Sequence, residues 1–448
     1  MSRRRPREIH RQQGLLSDRW LRYAPWGILT AHVALAIAYN LAVPFGNNGY
    51  ANTPDEGAHF QYVAFVAQAW RPPIFEGYEG VGYEAHQPPL YYFLAALVYH
   101  GVGGAGKGVR LLSTLCSAGV VWLVWLSLRR IAPERPMLAL SGMGFAAFLP
   151  MHIAIGSAVG NDALTNLLFA AVLYRLLLYL LPPTGEGQPP APRSVSSRLA
   201  TSKLAGEMLI GLLTGLALIT KATALLLIPV VALGVLWGAR LRKQSWANGV
   251  LRAGLTLGIA LAIGSGWFVR NALLYEDPLL QKTFLNVFAG TAKAQDFLER
   301  GASWGQYLHL VADWTFRSFW FAYGTPRTAN TGLPNFLPDS VYWGLAAWTL
   351  ITLVGLLLRL REPMPAGLRA WLVLGAATFA LVLVSFLLFI RVFFQAQGRY
   401  FYPALLPIAV FLALGWERLF PAPRRPLAQV GWTLTMLLLA IGCWQYLG

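Results

Sequence analysis

The amino-acid sequence predicts an all-α, polytopic membrane protein of about 11 spans, because apolar runs of roughly 20 residues recur along it. Two further observations carry the same expectation. Of the 448 residues, 56% are hydrophobic and 12% charged, about half the charged share of an average soluble domain. Those charges are concentrated between the apolar runs. The net charge of +17 would point a soluble chain toward nucleic acid. In a membrane chain it is explained by basic loops on one side, so no nucleic-acid partner is expected. Cys116 and Cys443 sit in apolar runs without a CxxC spacing and read as core filler.

The chain reads as one membrane domain, 1–448, with large loops. Residues 1–22 hold seven arginines and are expected in the cytosol. The first span, about 23–43, shows no small-residue cleavage pattern and reads as an uncleaved anchor. A first outer loop, 44–108, follows. Within it Thr53-x-x-Glu56 has the form of a capping box, with Pro54 at the first helical position. Phe60, Val63, Ala64, Ala67 and Trp70 then recur at helical spacing, predicting a surface helix over about 54–70. The stretch from Pro88 to Val102 is apolar for only about 14 residues, too short to span, and reads as interfacial.

Spans are expected at about 109–128, 137–156 and 163–181. Residues 182–204, rich in Pro, Gly, Ser and Arg, read as a flexible cytosolic linker. Two short spans, 206–220 and 222–239, hinge at Lys221, and another covers about 250–269. A second outer loop, 270–338, contains an aromatic segment at 303–323. There His309, Asp313 and Arg317 share a helix face; three such groups are costly in lipid, so this segment is expected to be interfacial. The last spans are about 339–358, 370–390, 400–416 and 427–447. With the N-terminus inside, the expected cytosolic pieces carry 23 Lys and Arg against 7 Asp and Glu, and the opposite side 12 of each. That imbalance orients a polytopic chain. It turns both long loops toward the extracytoplasmic face; the expected setting is an integral plasma (inner) membrane, that of a bacterium.

Four groups of polar residues stand out at that face. Asp55, Glu56 and His59 fall just after the first span. Capping accounts for Glu56, and Asp55 suits the positive end of a helix. The alternative is a general base or metal ligand, because a helix N-terminus keeps a carboxylate ionised. Glu84 and His86 precede Pro88-Pro89-Leu90-Tyr91-Tyr92, either a polar turn with headgroup-level tyrosines or part of a site. Asn161-Asp162 is either an N-cap or a second carboxylate converging on Asp55. Lys221, Arg270 and Arg399, the last beside Tyr400, end separate helices. One such cation snorkels to headgroups, but three together suit an anion, and arginine grips phosphate bidentately. No Gly-rich phosphate loop or Rossmann pattern points to a soluble nucleotide.

Taken together, these residues resemble the GT-C superfamily of integral-membrane glycosyltransferases, in particular its protein O-mannosyltransferase and lipid A aminoarabinose transferase branch. Asp55-Glu56-x-x-His59-Phe60 is similar to that family's first-loop acidic motif. His86-Gln87-Pro88-Pro89-Leu90-Tyr91-Tyr92 resembles its HPPLYY stretch with Gln87 inserted. Gly215-Leu216-Ala217-Leu218-Ile219-Thr220-Lys221 resembles its GLALLTK segment. Trp267-x-x-Arg270-Asn271, and Gly398-Arg399-Tyr400 through Pro403, resemble its later outer-surface motifs.

The resemblance implies inverting transfer of a sugar from a polyprenyl-phosphate-linked donor to a hydroxyl or amine of a glycan, lipid or protein acceptor. It implies catalytic roles for Asp55 and Glu56. His59, Glu84, His86, Asp162, Lys221, Arg270, Arg399 and Tyr400 would bind substrate and lipid phosphate. A divalent cation, Mg2+ or Mn2+, would sit on Asp55 and Asp162. The helices at 54–70 and 303–323 are expected to roof the site. A transporter or lipid flippase is the competing expectation; it would carry its charges near the bilayer midplane within symmetric repeats, and the sequence shows no repeat.

Overall fold

Nine helices among the described residues are long and apolar enough to cross a bilayer, and a bent pair makes a tenth crossing. The computed structural model describes residues 6–46, 53–181, 203–324 and 333–447. The linker expected at 182–204 falls, up to residue 202, outside them. In chain order the helices are α1 (Pro6–Ala42), α2 (Glu56–Ala69), α3 (Leu90–Gly101), α4 (Gly106–Ile131), α5 (Pro136–Phe148), α6 (Pro150–Gly156), α7 (Asp162–Leu180), α8 (Lys203–Leu218), α9 (Leu227–Leu241), α10 (Trp246–Tyr275), α11 (Gln281–Val287), α12 (Ala294–Glu299), α13 (Trp304–Trp320), α14 (Asp339–Leu360), α15 (Ala366–Val392), α16 (Leu405–Arg418) and α17 (Arg425–Trp444). The β-pairing among these residues is one isolated bridge, Tyr323–Asn335. Helices dominate because a lipid-embedded backbone must satisfy its own N–H and C=O groups. The outer surface fits that solvent: Leu273 is 80% and Leu427 76% exposed, exposure that water would penalise.

The expected span at 206–220 corresponds to α8, an apolar helix shorter than those candidate spans. At one end Asn161, just before α7, donates to the Thr220 carbonyl beyond α8 at 3.1 Å. At the other, Tyr179 in the last turn of α7 donates to Glu207 in the first turns of α8 at 2.6 Å. The chain from α8 to Thr220 therefore runs antiparallel along the 19 residues of α7, about 28 Å, close to the thickness of a hydrocarbon core.

The bend of 60° between α5 and α6 has an identifiable cause. Pro150 has no N–H to give to the Ala146 carbonyl. His152 Nδ1 takes that place at 2.8 Å, and His32 Nδ1 lies 2.7 Å from the next freed carbonyl, Ala147. The Ser117 hydroxyl lies between the two rings, 2.9 Å from His32 Nε2 and 3.3 Å from His152 Nε2. Three buried polar side chains thus repair a broken helix inside the bundle.

Helices α14 and α16 cross at Gly355 and Gly415. A Cβ on Gly355 would lie 2.1 Å from the Gly415 carbonyl oxygen, and one on Gly415 would lie 2.2 Å from that of Thr352. Backbone cannot yield as a side chain can, so the helices must part. Gly355→Ala is expected to destabilise the protein by about 1–3 kcal/mol through overpacking, seen as a lower melting temperature in detergent. An unchanged melting temperature would mean that this close contact is not needed.

Two local expectations are corrected. The Thr53–Glu56 capping box does not form: α2 begins at Glu56, Asp55 occupies the cap position without a side-chain cap bond, and Thr53 Oγ1 is buried without a partner. The Glu56 carboxylate has instead been drawn away by a buried cation, as described below. The buried stripe of α2 is Ala58, His59, Tyr62, Val63, Val66 and Ala67, rotated from the expected one, because Tyr62 stacks on Tyr92 of α3 at 3.6 Å. Trp70 is 52% exposed. By contrast, α13 is not among the candidate spans, as expected for 303–323. It starts in a capping box of Ser303 and Gln306, and Arg317 pairs with Asp313 at 2.8 Å and Asp339 at 2.6 Å.

Candidate active site

The Pro54–Asp55 step sets the geometry. Asp55 has φ 61°, a left-handed conformation that costs a residue other than glycine about 1–3 kcal/mol and that collects at functional sites. Its carbonyl starts α2 by accepting from His59 N at 3.0 Å. Its carboxylate is left to reach across the fold. Oδ1 accepts from the Tyr83 hydroxyl at 3.0 Å, and Oδ2 accepts from Arg399 Nη2 at 3.1 Å.

Arg399 lies in a 3-10 turn, Gly398–Ala404, that opens onto α16. Its Nη1 donates to Asp162 Oδ2 at 2.9 Å and its Nε to Gln397 Oε1 at 2.6 Å. Asp162 opens α7, where the helix end favours a carboxylate, and its other oxygen accepts from Lys221 Nζ. Lys221 sits in extended backbone between α8 and the turn Ala222–Leu226, with Nζ 3.4 Å from Asn161 Oδ1. Two carboxylates and two cations from four distant segments thus form one chain, Asp55–Arg399–Asp162–Lys221, whose formal charges cancel.

Glu56 does not join it, which corrects the expected catalytic role. Its side chain is fully buried, with Arg110 Nε 2.7 Å from Oε1 and Nη2 2.5 Å from Oε2. Val159 N donates to Oε1 at 2.9 Å and Gly46 N to Oε2 at 3.2 Å. Arg110 also donates to the carbonyls of Asn40, Val43 and Pro44. The pair therefore ties the end of α1, the start of α2 and the loop before Asp162 to α4, and holds both site carboxylates in place. Sequence reasoning missed Arg110. The available signal was an ionisable residue just inside an apolar span, which must have a partner.

His59 and Glu84 flank Asp55. Burial pushes the Glu84 carboxyl up and the His59 imidazole down, so both favour their neutral forms. Glu84 Oε2 is buried without a hydrogen bond, 3.8 Å from His59 Nδ1, and that nitrogen lies 2.8 Å from the Tyr92 hydroxyl. His86 is pushed down by burial to about 4; its Nδ1 donates to the Tyr83 carbonyl at 2.6 Å. The inserted Gln87 accepts from Asn161 Nδ2 at 3.1 Å and donates to His86 Nε2 at 3.0 Å, so it joins two of the motifs.

A carboxyl whose pKa is higher folded than unfolded contributes stability that is complete below about pH 4.5 and lost as pH rises through the raised value. His59 works in the opposite sense, losing stability below its ordinary value of 6.5. Glu84→Gln removes only the first effect. The melting temperature of the variant is expected to gain on the wild type progressively as pH rises above about 5. A difference independent of pH would refute a neutral Glu84.

These groups line a cavity of about 430 Å³. Asp55, His59, Tyr83, Glu84, His86, Lys221 and Arg399 make its polar end; Trp267, Phe284, Phe288, Phe386, Phe389 and Phe393 make an aromatic wall. Tyr400 also lines it, its hydroxyl donating to Gln395 at 2.5 Å. Residues of α13 do not line it. The expected roof at 303–323 is replaced by the segment around α11, whose Phe284 meets the His86 ring at 5.0 Å. Arg270 is a second correction: it donates to the Pro73 carbonyl at 2.7 Å and stands over the Trp267 ring, one residue from the lining but outside the charged chain.

The arrangement does not fit a divalent cation on Asp55 and Asp162. Arg399 already bridges the two carboxylates and Lys221 holds the remaining oxygen of Asp162, so a third positive centre would be repelled. Among the described residues no group of three His, Cys, Asp or Glu side chains is arranged to hold a metal ion.

Residues 86–185 match the dolichyl-phosphate-mannose-protein mannosyltransferase family, less than a quarter of the chain. No curated protein matches the sequence. Among solved structures, the oligosaccharyltransferase of Archaeoglobus fulgidus, tethered with an acceptor peptide, is similar with a TM-score of 0.53 at 14% identity, over 96% of this chain and 55% of that one. AglB of the same organism, in complex with an inhibitory peptide and a dolichol-phosphate, gives 0.51 at 14% identity, over 96% and 56%. ArnT from Cupriavidus metallidurans, in the apo state, gives 0.40 at 16% identity, over 87% and 76%. The chain therefore spans about half the length of the archaeal proteins. The resemblance expected from the sequence holds as a family match over 86–185 and, across the whole chain, as a likeness of fold.

Proposed function

We propose that this chain transfers a sugar from a polyprenyl-phosphate-linked donor to an acceptor hydroxyl or amine at the extracytoplasmic face, with inversion. One observation carries the reading: Asp55, Lys221 and Arg399, the two cations linked through Asp162, meet at one end of a cavity whose other wall is aromatic and apolar. A charged headgroup and a hydrocarbon chain need those two surfaces side by side. That AglB, with the same fold, was solved with a dolichol-phosphate supports the ligand class, and the charge imbalance of the loops supports the side.

In this mechanism Asp55 receives the proton of the acceptor as its oxygen or nitrogen attacks the anomeric carbon. The bond from that carbon to the phosphate oxygen breaks on the opposite face, which inverts the centre. The departing phosphate gains negative charge, and Arg399 and Lys221 stabilise it more in the transition state than in the bound donor. Lys221 keeps one of its three N–H donors beyond those aimed at Asp162 and Asn161. Asp162 orients both cations. His59, Glu84 and His86, mostly uncharged, offer hydrogen bonds to sugar or acceptor. Glu56 and Arg270 take no part in the transfer, and no step uses a metal.

The transporter reading is disfavoured because the charged chain lies at one end of the bundle and not at mid-depth. The deciding experiment incubates the purified protein in lipid nanodiscs with polyprenyl-phosphate sugars and acceptor, and follows polyprenyl phosphate by mass spectrometry. Release is expected; a protein that moves the lipid between leaflets but never cleaves it would overturn the proposal. Arg399→Lys keeps the charge and loses the two-pronged grip, and turnover is expected to fall on the order of a hundredfold.

A further inference from the structure

A second cavity, of about 300 Å³, opens at the opposite end of the bundle, lined by Arg135, Arg359, Glu362, Pro363, Glu417, Arg418 and Arg425. It is far from the first: α16 starts beside the Arg399 turn and delivers Arg418 only after its 14 residues, about 21 Å along the axis. Three connections meet here, from α4 to α5, from α14 to α15 and from α16 to α17.

Its charges do not balance. Arg135 Nη1 donates to Glu417 at 2.7 Å. Arg359 Nη1 donates to Glu362 at 2.7 Å, and Arg418 Nε approaches the same carboxylate at 2.6 Å, off the hydrogen-bonding direction. Arg425 has no carboxylate within ion-pair distance among the described residues; its Nε donates to the Phe420 carbonyl at 3.1 Å. Four guanidiniums therefore face two carboxylates around one hollow. An ion-pair staple between loops would have needed only as many cations as anions. The two spare positive charges, in planar forks, match the oxygens of a phosphate group. The hollow lies where lipid-facing side chains begin, with Leu427 76% and Leu360 43% exposed, the depth at which basic pockets between helices meet headgroups.

We infer that this arginine cavity binds a phosphate group, carried by an anionic lipid headgroup or free in solution. The site is independent of the transfer reaction. The test uses the full-length protein in detergent, wild type and Arg425→Gln, with native mass spectrometry for bound phosphatidylglycerol against phosphatidylcholine and thermal shift for inorganic phosphate. Arg425→Gln removes the unpaired cation and leaves every ion pair intact; Arg425→Lys should retain part of the binding. Phosphatidylglycerol retained over phosphatidylcholine, and held at least tenfold more weakly by Arg425→Gln, identifies a lipid headgroup. A phosphate-dependent rise in melting temperature that Arg425→Gln loses, without lipid preference, identifies a soluble phosphate. Binding of both ligands equal in wild type and Arg425→Gln, or absent from wild type, overturns the inference and leaves a structural ion-pair cluster. Transfer of sugar by Arg425→Gln is expected to equal that of the wild type in every case.

Discussion

Asp55→Asn is expected to lower sugar transfer by about a hundred- to ten-thousandfold, the range that a positioned general base contributes, while the protein still folds. The amide oxygen can accept from Tyr83 or from Arg399, as the carboxylate does at 3.0 and 3.1 Å, so the scaffold keeps most of its contacts. What the amide cannot do is take a proton. Release of polyprenyl phosphate by purified Asp55→Asn, with its melting temperature measured in parallel, separates the two effects. Turnover close to that of the wild type would refute the role of Asp55 as base. A collapse of the melting temperature would instead assign it to the Arg399 ion pair.

Arg110→Ala is expected to be the most damaging substitution to the fold, by about 3–5 kcal/mol, because it leaves a buried carboxylate without its cation. Glu56 and Arg110 are both completely buried, and the guanidinium also donates to three backbone carbonyls at the end of α1. Loss of Arg110 therefore frees α1, α2 and the Val159 loop at once. Yield from membranes and melting temperature in detergent report it; a variant as stable as the wild type would show that the clamp is dispensable. Glu56→Gln should lose stability in the same direction but, among folded molecules, should keep its turnover per molecule. That result separates a residue that positions Asp55 from one that reacts, and a folded Glu56→Gln without turnover would restore the catalytic role the motif suggested.

Much of the architecture was legible beforehand for a simple reason. A bilayer tests each span separately, by length and polarity, so apolar runs announce themselves without knowledge of their neighbours. That 303–323 would not be a span followed in the same way, from three titratable groups that lipid would reject. The converging cluster was partly legible too, since Asp55, Asp162, Lys221 and Arg399 each ended or preceded a span. The errors lay where short-range rules met long-range partners. Thr53-x-x-Glu56 has the form of a capping box, yet Glu56 went to Arg110, because an unpaired buried arginine costs far more than a missing cap. Arg270 lay beside the right motif but was claimed by the Pro73 carbonyl and the Trp267 ring.

The sequence by itself determined that this is a helical membrane protein with acidic and basic side chains gathered at helix ends, because solvent selects those features residue by residue. Only the tertiary structure decided which charges face one another. Ion pairing depends on distance in space, and Asp55 and Arg399, separated by 344 positions, become neighbours only when the helices between them have packed.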